Sequence, residues 1–197
     1  MASQTPERQE SLLVEVAKTI GLSLILAFGI RQFVAEARYI PSESMVPTLL
    51  VNDRLIVDKV GYYLHSPKRG DIVVFNPTNA LVKDGFNDAF IKRIVGMPGD
   101  QVAVANNRVY INGKLLAEPY LAAKTQTTLN TCGPENVFLA EPQVVPTNAY
   151  LVLGDNRNNS FDGRCWGFVP RNNIVGRAAV RFWPLNRWAI IAAGKQK

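Results

Sequence analysis

Beyond its apolar N-terminal segment the chain holds four serines, Ser42, Ser44, Ser66 and Ser160, and one histidine in all, His65. A serine hydroxyl is a useful nucleophile only beside a base that takes its proton. His65 sits in a loop-like Tyr-Leu-His-Ser-Pro-Lys stretch at 63–68, so a Ser-His-Asp triad would rest on one solvated residue. Lysine is the alternative base for serine. Free lysine, with a pKa of about 10.4, is almost wholly protonated near neutrality. Burial lowers that value because desolvation disfavours the ammonium, so a lysine base is sought inside an apolar strand. Phe-Ile-Lys-Arg-Ile-Val at 90–95 puts Lys92 on one face with Phe90 and Ile94. Lys59 shares a face with Leu55 and Val57. The pattern favours Lys92 but leaves both open, and a snorkelling side chain at a strand edge is the plain alternative for either.

The elements that must position these residues are short strands. Runs beginning at Arg54, Asp71, Phe90, Gln101 and Ala149 are β-rich and broken by turn residues. Asn112-Gly113 inside Val-Tyr-Ile-Asn-Gly-Lys-Leu-Leu predicts a two-residue hairpin turn. Met97-Pro98-Gly99-Asp100 predicts a turn with Pro and Gly in its centre. Residues 118–146, rich in Thr, Asn, Pro and Ala, read as a less regular insertion. The expected fold is mostly β, one β-rich catalytic domain behind one N-terminal transmembrane helix.

Four ordered blocks go further: Ile-Pro-Ser-Glu-Ser-Met-Val-Pro-Thr-Leu at 40–49, Gly-Asp-Ile-Val-Val-Phe at 70–75, Ile-Lys-Arg-Ile-Val-Gly-Met-Pro-Gly-Asp at 91–100, and Gly-Asp-Asn-Arg-Asn-Asn-Ser-Phe-Asp-Gly-Arg at 154–164. Together they resemble the bacterial type I signal peptidases. The resemblance implies Ser44 as nucleophile and Lys92 as general base, with the Ser42 hydroxyl and the Ser44 N–H facing the oxyanion. It further implies that Ser160 orients the Lys92 amine while Asp162 and Arg164 hold its loop. Asn158 stands where many members carry an acid, and Glu43 where many carry a small residue. The implied activity is a membrane-bound serine endopeptidase that removes signal peptides from secretory preproteins after small-x-small, typically Ala-x-Ala, sites. Ile40, Met45, Ile94 and Val95 are expected to line the substrate pockets, with core packing as the alternative for each. A self-cleaving protease of the SOS-repressor type would need a DNA-binding N-terminus, and an inactive tethered binding domain would need a broken dyad.

Of the 197 residues, 47% are hydrophobic and 19% charged, a composition of ordered rather than disordered chains. The net charge of +6 is scattered, without a basic run, so lipid is expected as a partner and nucleic acid is not. Residues 12–35 are expected to be the anchor, residues 1–11 a tail and residues 36–197 the peptidase domain. The uncharged core at 19–30 is short for a bilayer, so the span must take in Glu15 and Lys18. A cleavable secretory signal ending at Ala35-Glu36-Ala37 is the rival reading; the resemblance favours a retained single-pass anchor with the domain on the outer, periplasmic or lumenal, side. Contact with the export machinery is a further expectation. The pair Cys132 and Cys165 lacks metal-ligand spacing and is a disulfide candidate in a translocated domain. Gly-Asp-Asn-Arg-Asn-Asn-Ser lacks the ligand spacing of a calcium loop, and no metal or organic cofactor is expected. Arg-Phe-Trp-Pro-Leu-Asn-Arg-Trp at 181–188 suits a bilayer interface or core packing equally.

Overall fold

The computed structural model describes residues 12–133 and 138–192; the expected tail at 1–11 lies outside them. Helix α1, Leu12–Gly29, continues through a π-helical turn, Ile30–Val34. Together they make a 23-residue apolar element, none of it buried, about 34 Å long at 1.5 Å per residue. A hydrocarbon core is about 30 Å thick. The helix then runs into a strand without a linker.

That strand, β1 (Ala35–Tyr39), pairs antiparallel with β2 (Arg54–Asp58), Ala35 opposite Asp58 and Tyr39 opposite Arg54. The larger sheet continues with β3 (Ile72–Phe75), β4 (Phe90–Gly96), β9 (Ala149–Leu153), β10 (Val169–Pro170), β11 (Ile174–Trp183) and β12 (Ala189–Ile190), in the order β1-β2-β11-β3-β4-β9-β10 with β12 beside β11. The smaller sheet has the order β7-β6-β5-β8, from β5 (Gln101–Ala105), β6 (Arg108–Ile111), β7 (Lys114–Leu115) and β8 (Gln143–Val144). All these pairings are antiparallel. Three short helices, α2 (Gly61–Leu64), α3 (Asn79–Lys83) and α4 (Gly163–Trp166), sit in the connections.

Strands begin where the sequence places them at β2, β4, β5 and β9, and one residue late at β3. Asn112 and Gly113 carry φ of 51° and 75°, the positive pair of a two-residue hairpin turn. The ten-residue β11 is the exception. Its bulges between Ala178 and Val180 and between Arg181 and Trp183 break the alternation, so the longest strand has no sequence signature. Gly176 lets it approach β2, since a Cβ there would lie 2.5 Å from the Asp58 carbonyl oxygen.

Ala35, Glu36 and Ala37, the rival cleavage site, lie in β1, laddered to β2. Residues 118–146 are mostly irregular where described, with a 3-10 turn at Asn130–Cys132 and the two-residue β8. Cys132 and Cys165 form a disulfide, Cα to Cα 5.0 Å, closing a 33-residue separation, which stabilises by about 3 to 4 kcal/mol in the chain-entropy account. Trp183 and Trp188 are exposed rather than packed. Arg181 and Arg187 of the same segment turn inward, to the Thr48 carbonyl and Asp53.

Candidate active site

Ser44 lies in a tight turn after β1, closed by Val46 N–H to Glu43 O and Leu49 N–H to Met45 O. Ile40, Met45 and Leu49 bury their side chains with Leu55, Ile72, Ala178 and Ile191, so the apolar residues around Ser44 pin the turn and leave its hydroxyl at the cleft floor. The Ser44 carbonyl accepts from Asn156 N–H at 3.0 Å, which joins the turn to the loop after β9.

Lys92 rises from β4 and is 4% exposed. Its Nζ donates to Ser44 Oγ at 2.9 Å and to the Ile91 carbonyl at 3.0 Å. Burial lowers its pKa to about 8, against the opposing pull of Asp162 and Asp155. A substantial neutral fraction is thus present near pH 8, within reach of the serine proton. Lys59, the other lysine the pattern leaves open, is elsewhere: its Nζ pairs with Glu36 at 2.8 Å and donates to the Arg31 and Gln32 carbonyls at the end of the span.

Ser42 Oγ lies 3.4 Å from Ser44 Oγ on the cleft rim. Ser160 Oγ is buried and makes no hydrogen bond, so the expected contact to Lys92 is not formed in this conformation. The hydroxyl packs over Gly154, where a Cβ would lie 2.1 Å from Ser160 Oγ and 2.5 Å from the Ser44 carbonyl oxygen. Asp162, fully buried, accepts from Gly154 N–H at 2.9 Å and from Arg164 Nε and Nη2 at 2.9 Å each. Burial raises the Asp162 pKa, but Arg164 and the two backbone donors outweigh it and hold the carboxyl below its ordinary value. Arg164 in turn donates to the Arg157 and Thr128 carbonyls at 2.7 Å, and the disulfide ties the next residue, Cys165, to the same turn.

The cleft, of about 530 Å³, is lined by Ser42, Ser44 and Lys92 together with Phe86, Phe90 and Phe161. Phe86 stacks on Phe161 with centroids 5.5 Å apart. Glu43 stands on the rim, its carboxylate accepting from Asn159 at 3.2 Å. Of the four residues expected to line substrate pockets, Ile40 and Met45 pack in one apolar core, Ile94 in a second and Val95 in a third, each 2% exposed or less.

Sequence reasoning missed the residues that lock the three segments around the cleft together. Arg93 grips Asp155 through Nε at 2.8 Å and Nη2 at 2.6 Å, and reaches Thr48 at 3.3 Å. One guanidinium carried by the lysine strand therefore touches both the serine turn and the loop after β9. Arg157, also buried, pairs with Glu118 and Thr127 of the insertion. Alternation carried the signal: Arg93 shares its face with Ile91 and Val95, and a cation buried there needs a carboxylate, which the block at 154–164 supplies as Asp155.

A serine and a buried lysine in hydrogen-bond contact, in a cleft of a β fold that follows a membrane-length helix, describe a membrane-bound serine peptidase. Residues 13–183 match the signal peptidase family, peptidase S26. The chain is 54% identical over 194 residues to a signal peptidase I of Leptolyngbya laminosa, covering 93% of this chain and 90% of that protein. It is 54% identical over 182 residues to a probable signal peptidase I-2 of Synechocystis, covering 92% and 78%. A crystal structure of a signal peptidase I from Enterococcus faecalis aligns at 30% identity and a TM-score of 0.44, covering 58% of this chain and 98% of that one. The chain belongs to the signal peptidase family, and it is a serine peptidase that removes signal peptides.

Proposed function

We propose that Ser44 is the nucleophile and Lys92 the general base and acid of this reaction. The carrying observation is the 2.9 Å contact between Lys92 Nζ and Ser44 Oγ at an amine whose burial brings its pKa to about 8. With the amine neutral, the hydroxyl donates to the nitrogen lone pair. Ser44 Oγ attacks the scissile carbonyl as its proton passes to Lys92, and the resulting ammonium protonates the leaving amine. Neutral Lys92 then takes a proton from water, whose oxygen attacks the acyl-serine and releases the signal peptide. The Ser42 hydroxyl and the Ser44 N–H stabilise the oxyanion of each tetrahedral intermediate. Ser160, whose buried hydroxyl is free of other partners, is the proposed orienter of the Lys92 amine, and Asp162 and Arg164 hold the loop that carries it.

Substrate enters as an extended strand. The β4 to β9 ladder begins at Arg93, so the edge of residues 90–92 that faces away from β3 has no ladder partner, and a peptide can pair there. Specificity for small-x-small sites then follows from a cleft whose floor is filled by core residues. The organisation is an anchor at 12–35 and a peptidase domain at 36–197 carrying the insertion at 118–146, with residues 1–11 as a tail. The domain faces the outer side, where preproteins emerge from the export machinery; the disulfide suits an oxidising compartment. Exposed Trp183, Leu185 and Trp188 rest against lipid.

The test is cleavage, in detergent with lipid, of a preprotein whose signal ends in Ala-x-Ala, with the cut bond read by mass spectrometry. Ser44→Ala and Lys92→Ala abolish the cut while chelator leaves it intact. Retention of activity in a folded Lys92→Ala would remove the proposed base.

A further inference from the structure

Adjacent tyrosines in α2 behave in opposite ways. Tyr62 turns inward: its hydroxyl donates to Asp71 at 2.9 Å and its carbonyl accepts from Arg171 at 2.7 Å. The helix start is tied as well, Gly61 N–H donating to Asp58 Oδ1 at 3.0 Å. On this fixed platform Tyr63 and Leu64 point outward, 72% and 74% exposed. No core element among the described residues covers them.

Their height relative to the membrane follows from hydrogen bonds to the span. Lys59 N–H donates to the Val34 carbonyl at 3.0 Å, and its Nζ holds the Arg31 and Gln32 carbonyls. Lys59 is therefore level with the last residue of the apolar element. Tyr63 is one helical turn further, about 6 Å even if α2 pointed straight away from the bilayer. The headgroup layer on each side is about 5 to 8 Å thick. A tyrosine and a leucine presented at that height, with exposed Lys68 following, have the amphipathic character of interface-seeking segments.

We propose that α2 seats Tyr63 and Leu64 in the headgroup layer beside the anchor exit, as a lipid contact separate from the one at Trp183 and Trp188. Trp183 lies opposite Arg54, at the other end of β2 from Asp58. Contact at both ends lays β1 and β2 along the membrane surface, and it fixes the height of the Ser44 turn that follows β1. Lipid is the occupant because the platform is continuous with the span; a protein partner would have to fit between α2 and the bilayer. The inference rests on the reading of Leu12–Val34 as a membrane span.

The experiment places a fluorescent label on single-cysteine variants of the full chain in nanodiscs containing nitroxide-bearing lipid. Both native cysteines are in the disulfide, so Leu22→Cys, Leu64→Cys and Val144→Cys each give one site. Leu22 reports the span, and Val144, exposed in the smaller sheet, reports water. Expected is lipid quenching at 22 and 64 but not at 144, and iodide quenching at 144, at least about threefold stronger than at 64. If 64 behaves like 144 while 22 is quenched by lipid, the α2 contact is overturned and the span stands. If 22 is not quenched by lipid, the span reading fails and this inference with it. Shielding of 64 from both quenchers would mean that protein covers α2, which also overturns it. A functional arm uses Tyr63→Asp with Leu64→Asp: cleavage of a membrane-embedded preprotein falls about tenfold, while cleavage of a soluble peptide in detergent stays within about twofold. Equal loss on both substrates would mark a folding defect and overturn the positional role.

Discussion

Lys92 and Lys59 stand in similar sequence settings and opposite physical ones. Each alternates with apolar residues, Phe90 and Ile94 around the first, Leu55 and Val57 before the second. Lys59 ends beside a carboxylate and two helix-end carbonyls, surroundings that suit an ammonium. Lys92 ends against a hydroxyl and one carbonyl with its carboxylates in ion pairs elsewhere, surroundings that favour the amine. The strand pattern is common to a structural cation and the proposed base; what separates them is where the nearest carboxylate spends its charge. Asp155 is gripped by Arg93 and Asp162 by Arg164, and these pairs keep both acids from answering Lys92 directly.

The largest expected effect tests that separation outright. Lys92→Ala lowers kcat/KM for preprotein cleavage by more than about 10³-fold, the scale of losing a base that acts with a serine. Lys59→Ala stays within about threefold on the same substrate in detergent, since its partners touch no cleft residue. A reversal of the two results would exchange their roles.

Stability gives the next contrast. Lys92 has a folded pKa of about 8 against an ordinary value of 10.5. The unfolded chain therefore binds more protons between those values, and stability rises with pH across that window. At neutral pH the buried ammonium costs about 3 kcal/mol at 1.36 kcal/mol per pKa unit. Lys92→Met, of similar length and without the charge, is then more stable than the parent by up to that amount at pH 7, with the gap closing by pH 10.5. Denaturant unfolding at several pH values measures it, and a gap constant with pH would show that Lys92 is not a desolvated base.

The same shift governs rate. Below pH 8 each unit of acidity lowers kcat/KM about tenfold as neutral Lys92 is lost, so activity at pH 7 is about a tenth of its alkaline plateau. Lys59→Ala leaves the midpoint in place. Asp155→Asn, which removes a negative charge that raises the Lys92 pKa, moves the midpoint to lower pH in whatever fraction of the variant remains folded.

How much of this was legible depends on how local its cause is. The hairpin at Asn112-Gly113 and strands β2, β4, β5 and β9 follow from neighbouring residues alone. The site segments were legible through four blocks whose order resembles a family, yet the burial of Ile40, Met45, Ile94 and Val95 in three separate cores depends on which side of each strand or turn meets which core. That is set by the tertiary stacking of sheets and turns. β11 escaped because its bulges cancel the two-residue period, and the Arg93–Asp155 and Arg157–Glu118 pairs because they join residues 62 and 39 apart in sequence. Long-range polar pairing has no period to read.

The smallest expected effect belongs to Lys59, and its sign is opposite to that of Lys92. Burial raises the Glu36 pKa, but hydrogen bonds and charge from Lys59 and Arg38 bring it below its ordinary value. Such a carboxylate contributes stability above its unfolded pKa, lost as pH falls through the folded one. Lys59→Met removes one of the two cations and leaves the Arg31 and Gln32 carbonyls without that donor. The pair is partly exposed, with about an eighth of each side chain in water, so the loss is discounted to about 1 kcal/mol. Removing one lysine thus stabilises the fold and removing the other weakens it. Unfolding of Lys59→Met measured at neutral and acid pH separates the two causes: a deficit that shrinks in acid belongs to the Glu36 pair, whereas one that persists at the same size belongs to the lost donor at the end of the span.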